Sequence, residues 1–174
     1  MALTFTVYPA EAHAKIPEPE QVSSVAVFAV NEQGELLVAV HVRRGTDIVG
    51  GHVDPGETVL QALDREVDEE AGAVVRNPIL IATVQVEPSG EKYAGKRMCI
   101  FAADNFTLNA DWKPAPDVSD RGTMPLDKFL EQYVGDKKFM GELVALAKEK
   151  LKEMERARER VRETGLEQGG MSVK

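Results

Sequence analysis

Acidic side chains are concentrated in the stretch GGHVDPGETVLQALDREVDEEAGA, which runs from Gly50 to Ala73. Glu66, Glu69 and Glu70 are spaced i, i+3 and i+4, so on a helix they share one face. Three carboxylates placed this closely repel one another and destabilise the helix unless a cation lies among them. Mg²⁺ suits that position because it takes oxygen ligands and commonly combines carboxylates with substrate phosphates. The spacing therefore predicts a divalent-metal site.

The loop before this helix contains further candidates for the same site. Its glycines allow the backbone to approach closely, so the carbonyl of Gly51 is an additional candidate metal ligand. Arg65 lies beside the acids and can pair with Glu57, which would tie the loop to the helix. A solvated acidic helix face is the simpler alternative. That alternative does not account for Gly51, Glu57 and Gly72 at their particular spacings.

The same stretch resembles the Nudix box. That motif is Gly, five residues, Glu, seven residues, Arg-Glu, an aliphatic residue, any residue, Glu-Glu, any residue, Gly and a final aliphatic residue. The chain matches all seven invariant positions, and only the final aliphatic position is weak, because Ala73 is small. The other matching residues are Gly51, Glu57, Arg65, Glu66, Val67, Glu69, Glu70 and Gly72.

The resemblance implies a Nudix hydrolase with an α/β/α sandwich, a mixed β-sheet, and Mg²⁺ or Mn²⁺ as cofactor. Such enzymes cleave the pyrophosphate of a nucleoside diphosphate linked to another group. By position in the motif, Gly51, Glu66, Glu69 and Glu70 are the expected metal ligands. Glu66 or Glu69 is alternatively the group that orients or deprotonates the attacking water. The expected catalytic residues are Glu57, Arg65, Glu66 and Glu69.

Several residues outside the motif bear on the substrate. The segments RRGTDIVGGHVDPGE and GEKYAGKRMCIFAADN are similar to those of bacterial 8-oxo-dGTP-type nucleoside triphosphate diphosphatases. The expected substrate is therefore an oxidised or ordinary nucleoside triphosphate, cleaved to monophosphate and pyrophosphate. Pro88 lies roughly fifteen residues past the motif, where a proline favours ADP-ribose or a nucleotide sugar instead, although a proline that only ends the strand before Ser89 is the simpler interpretation. A third alternative is a nucleotide sensor without activity. The expected substrate-binding residues are Arg44, His52, Lys96, Asp117 and Asp120.

The elements around the motif predict a mixed sheet with packed helices. The order is strands, helix, strands, helix, which is not the regular βαβ alternation of a doubly wound sheet. Strands 22–30 and 36–44 are predicted to form a hairpin, and 45–57 a glycine-rich loop with a short β piece. Thr58 is the predicted cap of the central helix and Gly72 its end. Further predicted elements are strands 78–88 and 96–108, a loop over 109–122, a short helix near 126–133, and a long helix over 136–164.

Length and composition indicate one domain over 1–164, followed by a disordered tail over 165–174. The net charge of −8 argues against broad binding to nucleic acid or to an anionic membrane. Cys99 is the one cysteine and is predicted to be buried, so no intrachain disulfide can form. With no signal peptide or membrane span evident, the expected location is the cytoplasm.

Two further expectations concern the last helix and the single tryptophan. Ala147, Leu151, Met154 and Val161 lie near a heptad seam that Arg158 interrupts, so a solvated helix end is favoured over a coiled-coil dimer. The expected oligomeric state is monomer or homodimer. Trp112 either stacks on a base or covers the edge of the core.

Overall fold

Nine strands and three α-helices form the part of the chain that the computed structural model describes, residues 2–170, of which 166–170 are described as backbone only. The strands are β1 (Thr4–Pro9), β2 (Val22–Ala29), β3 (Leu36–His41), β4 (Gly45–His52), β5 (Ala73–Val75), β6 (Ile79–Glu87), β7 (Arg97–Ala103), β8 (Phe106–Leu108) and β9 (Val118–Met124). The helices are α1 (Val59–Ala71), α2 (Leu126–Gln132) and α3 (Lys137–Gly170).

Seven strands form one sheet in the order β1-β6-β7-β2-β4-β3-β9. Strands β2 and β7 are parallel, and every other neighbouring pair is antiparallel, so the sheet is mixed as predicted. Strands β5 and β8 form a separate two-stranded sheet.

Helices cover both faces of the large sheet. Alternate residues of a strand point to opposite faces, and β2 divides in this way. Val25 and Val27 belong to the apolar cluster under α1, together with Leu63. Phe28 belongs to the cluster under α2 and α3, with Phe129 among its buried members. The α/β/α sandwich is therefore confirmed.

The predicted hairpin between residues 22–30 and 36–44 is wrong. Strand β4 lies between β2 and β3 and pairs with both. The glycines of β4 make this pairing possible, because a Cβ at Gly50 would lie 2.1 Å from the carbonyl oxygen of Val25. Glycine lowers the strand propensity of a sequence, so the glycine-rich pattern of residues 45–57 predicted a loop. In the structure, the first part of this segment is strand β4, which packs closely against β2.

Other boundaries also differ from the sequence prediction. The strand expected over 96–108 is divided into β7 and β8, and β9 occupies part of the loop expected over 109–122. Helix α3 continues to Gly170, past the expected end at Thr164 and into the tail expected to be disordered. The last four residues of the expected tail, 171–174, lie outside the described residues.

The ends of α1 follow the sequence closely. The Thr58 hydroxyl accepts from the Gln61 N–H at 3.1 Å and the Gln61 side chain accepts from the Thr58 N–H at 2.9 Å, forming a capping box. Gly72 follows the helix with φ 54°, a left-handed conformation that glycine adopts readily. Both predicted boundaries of α1 are confirmed.

The exposed half of α3 is attached to the domain rather than free. Nε of Arg158, the residue that interrupts the heptad seam, forms an ion pair with Asp104 at 3.0 Å. Ala147 is buried against the sheet, while Val161 is 72% exposed. Arg158 therefore has a partner within its own chain, and the choice between a solvated helix end and a coiled-coil dimer stays a prediction. Across the described residues, no helix is both long and apolar enough to cross a lipid bilayer.

Candidate functional site

Arg65 joins helix α1 to the loop that precedes it. Its Nε donates to Glu57 Oε1 at 2.5 Å, and its Nη2 donates to Glu57 Oε2 at 3.0 Å and to the His52 carbonyl at 2.9 Å. The Asp54 N–H also donates to Glu57, at 2.9 Å. Hydrogen bonds from Arg65 lower the pKa of Glu57, so this carboxylate stays ionised. The predicted pair of Arg65 and Glu57 is confirmed.

The same guanidinium contacts two of the three helix acids. Nη1 of Arg65 donates to Glu66 at 2.9 Å and to Glu69 at 3.2 Å. The Glu66 side chain is 13% exposed, whereas that of Glu69 is 52% exposed. Burial raises the pKa of Glu66, and the hydrogen bond from Arg65 opposes that effect. Glu66 is thus the inner and Glu69 the outer member of this pair.

Among the described residues, no guanidinium is hydrogen-bonded to Glu70. Its Oε2 accepts from the Gly50 N–H at 3.0 Å, and its Oε1 lies 3.6 Å from Nε2 of His41. Burial lowers the pKa of His41, so the imidazole is a weak source of positive charge. Burial raises the pKa of Glu70 to about 7, only partly opposed by the Gly50 hydrogen bond. A buried carboxylate that lacks a full positive charge beside it is stabilised when a cation binds next to it.

Gly51 brings backbone against these carboxylates. A Cβ at this position would lie 2.2 Å from Cδ of Glu66, so only glycine leaves room for the Glu66 carboxylate here. Within the described residues, no three side chains of His, Cys, Asp or Glu already converge on one metal position. Carboxylate and backbone carbonyl oxygens are the donors that a hard divalent cation takes, and Gly51, Glu66, Glu69 and Glu70 stay a prediction as its ligands. Of these, Glu69 would first have to leave Arg65.

A cleft of about 1270 Å³ opens next to the acids. It is lined by three of the expected substrate-binding residues, Arg44, His52 and Asp117. The other two, Lys96 and Asp120, are not among its lining residues. Asp120 lies exposed on the edge strand β9 and accepts from the next backbone N–H, that of Arg121, at 2.8 Å. The structure therefore does not bring Lys96 or Asp120 to the site.

Sequence reasoning missed Tyr93 and His41, which also line this cleft. His52 stacks on Tyr93, with ring centroids 5.1 Å apart and planes 11° apart. His41 lies at the end of β3, where Arg44 contacts both imidazole nitrogens at 3.1 and 3.2 Å. The odd-numbered residues of β3 face α1, as Leu37 and Ala39 do, and this alternation is the signal that could have placed His41 beside the acids.

Asp47 is a further cleft residue without a sequence signal. It lies 3.9 Å from Arg44 and accepts from the backbone N–H of Ile48 at 2.8 Å. Burial raises the pKa of Asp47. Arg43 also lines the cleft, so the turn between β3 and β4 supplies two arginines to it. Asp47 fell in the glycine-rich loop predicted over 45–57, so its position could not be read from the sequence, whereas Arg43 and Arg44 fell at the end of the predicted strand 36–44.

Position decides the open interpretation of Trp112 but not that of Pro88. Trp112 packs against Gly72 at the end of α1, where it covers the edge of the core. It is not among the cleft-lining residues, so it does not stack on a base held there. Pro88 follows β6 and does line the cleft.

Comparison with known proteins adds independent findings. The family model described as NUDIX domain matches residues 20–145, well over half of the chain. The NAD-capped RNA hydrolase NudC of Photobacterium profundum is 40% identical over 60 residues, covering 33% of this chain and 23% of that protein. The 8-oxo-dGDP phosphatase NUDT18 of Mus musculus is 33% identical over 101 residues, covering 52% of this chain and 31% of that protein. The chain thus spans about a quarter to a third of the length of these curated relatives.

Solved structures support the fold. The Bacillus subtilis pyrophosphohydrolase BsRppH superposes with a TM-score of 0.52 at 22% identity, over 70% of this chain and 72% of that one. At this identity the similarity concerns the fold alone.

Proposed function

Because the chain belongs to the Nudix family, we propose that it is a divalent-metal-dependent hydrolase that cleaves the pyrophosphate of a nucleoside diphosphate derivative. In this reaction a water oxygen forms a bond to one phosphorus, and the bond from that phosphorus to the bridging oxygen breaks. The substrate we propose is an oxidised or ordinary nucleoside triphosphate, which would yield a nucleoside monophosphate and pyrophosphate.

One observation supports this proposal most directly: the buried carboxylate of Glu70 and the half-buried carboxylate of Glu66, which is bonded to Arg65, both lie against the glycines of β4. Glu66 lies against Gly51, and Glu70 lies against Gly50 with its pKa raised to about 7. Buried acids that serve only stability are normally paired. An underpaired acid beside a cleft is typical of a metal or catalytic site.

Glu66 and Glu70, with the carbonyl of Gly51, are the residues that we propose hold Mg²⁺ or Mn²⁺, and Glu69 is the outer candidate. The ion would supply positive charge to the phosphate oxygens and to the attacking water. Phosphoryl transfer depends mainly on such charge neutralisation and on positioning. Arg65 contributes to positioning, because it fixes Glu57 and the His52 carbonyl and thereby the whole preceding loop.

The proton of the attacking water needs an acceptor. Glu69 is exposed to solvent and bonded to Arg65 by one hydrogen bond of 3.2 Å, so it can turn toward a water in the cleft. Glu66 is the alternative acceptor, but it is more deeply buried and held against Gly51. We therefore propose Glu69 as the first residue to test as general base.

The cleft has the size and lining that a nucleotide requires. Its volume of about 1270 Å³ exceeds what a small ligand needs. Arg43 and Arg44 supply cations for phosphates, as guanidinium groups commonly do. The apolar residues of the wall include Met98, Ile100 and Phe139, which suit the faces of a base.

ADP-ribose or a nucleotide sugar is the second candidate substrate. The observation that favours it is the position of Pro88, which lines the cleft rather than only ending a strand. Asp117 also lines the cleft, and a carboxylate there can accept hydrogen bonds from sugar hydroxyls.

A panel of substrates tests the proposal. The chain is incubated with Mg²⁺ or Mn²⁺ and dGTP, 8-oxo-dGTP, other triphosphates, ADP-ribose, nucleotide sugars or dinucleoside polyphosphates, and the products are separated by chromatography. Monophosphate plus pyrophosphate from a triphosphate supports the first substrate class. AMP plus ribose phosphate supports the second. Binding without turnover contradicts the hydrolase proposal and favours a nucleotide sensor.

A matched pair of variants connects activity to the site. Glu70→Gln removes one negative charge from the buried acid of α1, and Asp68→Asn removes one from an exposed residue of the same helix. We expect E70Q to lose at least about 100-fold in activity, the upper range for loss of a group that supports a metal, and D68N to retain it. Near-normal turnover of E70Q would contradict the ligand assignment.

A further inference from the structure

The last turn of α1 is held by two side chains that lie far away in sequence. Nε1 of Trp112 donates to the Glu69 carbonyl at 3.1 Å. Nη1 of Arg121 donates to the Ala71 carbonyl at 2.6 Å and to the Gly72 carbonyl at 3.2 Å. We call these two residues, Trp112 and Arg121, the α1 clamp. Through the clamp, three carbonyls around the end of one helix accept from side chains outside that helix.

The two residues of the α1 clamp also support each other. The Arg121 guanidinium lies over the indole of Trp112, 4.8 Å from the ring centroid. Nη2 of Arg121 donates to the Asn109 carbonyl at 2.8 Å, which fixes the loop that carries Trp112. A Cβ at Gly72 would lie 2.3 Å from Cβ and Cγ of Trp112, so the indole occupies the space that a side chain would take.

Electrostatics explain why this helix end needs a clamp. The C-terminal carbonyls of a helix lack intrahelical partners and carry a partial negative charge. Glu69 and Glu70 add two carboxylates to that same end, which is unfavourable for the helix. Arg121 places a cation on the carbonyls, while the carboxylates themselves remain turned toward the cleft.

We propose that the α1 clamp positions Glu69 and Glu70 and thereby sets the affinity of the site for a divalent cation. This inference rests on the metal-ligand assignment of the proposed function. The clamped carbonyls belong to residues 69, 71 and 72, directly before and after Glu70. Releasing them frees the turn whose side chains supply the ligands. Trp112 and Arg121 are positioning residues, because both act through the backbone of α1.

The test measures metal binding separately from turnover. Mn²⁺ is titrated into the full chain without nucleotide, and free Mn²⁺ is followed by electron paramagnetic resonance. Arg121→Met removes the guanidinium, Trp112→Phe removes the N–H donor and retains a ring, and Arg121→Lys retains the charge. Arg158→Met is the matched control, because it also removes a guanidinium that pairs within the domain, here with Asp104 and away from α1.

We expect R121M and W112F to bind Mn²⁺ about 10-fold more weakly, the effect typical of groups that orient metal ligands. R121K should lie between R121M and the unmodified chain, and R158M should bind normally. At saturating Mg²⁺, kcat should recover in R121M and W112F, while the half-saturating Mg²⁺ concentration stays raised. A purely stabilising role would leave this concentration unchanged.

Trp112 provides a second readout, because it is the one tryptophan in the sequence. Its fluorescence therefore reports on the α1 clamp alone. We expect Mn²⁺ or Mg²⁺ to change the emission of the unmodified chain, and to leave that of Glu70→Gln unchanged.

The outcomes separate the two proposals. Normal Mn²⁺ affinity in folded R121M and W112F, with binding lost in E70Q, would overturn the role of the clamp and leave the proposed function standing. Absence of Mn²⁺ binding by the unmodified chain would overturn the metal-ligand assignment and the clamp with it. Folding is verified by circular dichroism, and if R121M unfolds, the milder W112F and R121K decide the result.

Discussion

Glu70→Gln is expected to make the metal-free protein more stable at alkaline pH while it removes activity. Glu70 is 8% exposed, and burial raises its pKa to about 7 from an ordinary 4.5. The folded state therefore binds the proton more tightly than the unfolded state. Above pH 7 the carboxylate is ionised in both states, and the full cost of burying its charge opposes folding. Below pH 7 the folded state takes up the proton, and this cost disappears by about pH 4.5.

The magnitude follows from the two pKa values. The difference between about 7 and 4.5 corresponds to about 3 kcal/mol at pH 8, as an upper value. Glutamine keeps an acceptor for the Gly50 N–H at nearly the same volume but carries no charge. E70Q should therefore raise the free energy of unfolding by as much as about 3 kcal/mol at pH 8, and by about 1 kcal/mol at pH 5.5.

Urea denaturation in the presence of EDTA measures this difference at pH 8, 6.5 and 5.5. Asp68→Asn is the control, because it removes an exposed charge from the same helix and should change stability little at any of these pH values. With saturating Mg²⁺ the order should reverse, since only the unmodified chain gains stability by binding the ion. E70Q that is no more stable than the unmodified chain at pH 8, or a difference that does not vary with pH, would refute the reasoning.

Three further results are expected. Gly51→Ala places a Cβ against the flexible end of the Glu66 side chain, so metal affinity should fall while the fold is retained. Gly50→Ala places a Cβ against the backbone of β2 and should lower the melting temperature sharply. Equal melting temperatures of the two variants would contradict this contrast. Arg65→Met should lower the free energy of unfolding by about 2 kcal/mol in urea titrations, since charged hydrogen bonds are lost; an unchanged midpoint would show that the loop holds without it. Burial raises the pKa of Cys99 to about 12, so a thiol reagent should label it only after unfolding, and rapid labelling of native protein would contradict that burial.

The structure shows how the metal-free protein tolerates its acidic helix. The three carboxylates have different surroundings. Glu66 and Glu69 each accept one hydrogen bond from Arg65, and Glu66 also lies against Gly51. Glu70 accepts from the backbone N–H of Gly50. Arg65 is shared among several acids and its pKa is raised by them, foremost by Glu57. One guanidinium cannot neutralise the whole cluster, which is why a divalent cation would complete it.

Local signals in the sequence were sufficient for α1 and its acids. The capping box at Thr58, the apolar spacing through Leu63 and Val67, and the glycine stop at Gly72 are all short-range features. These features fix which residues share a face of α1. The loop directly before α1 carries Glu57 close to that face, where it pairs with Arg65. The mixed sheet followed from element order, and the sandwich from the family resemblance.

The other features of the sheet and of the cleft depended on contacts between residues that are distant in sequence. Strand β4 exists because Gly50 fits against β2, although its own sequence favours a loop. Asp117 reaches the cleft and Asp120 does not, because successive residues near an edge strand point in different directions.

The sequence by itself determined which acids share one face of α1, because side chains on one helix turn need only helical spacing to come together. The tertiary structure decided the surroundings of Glu70, since this acid is buried by β3 and β4 rather than by its own helix. It also decided what holds the ligand turn in place. Trp112 lies 43 residues along the chain from Glu69 and Arg121 lies 50 from Ala71, and only folding brings their donors to these carbonyls.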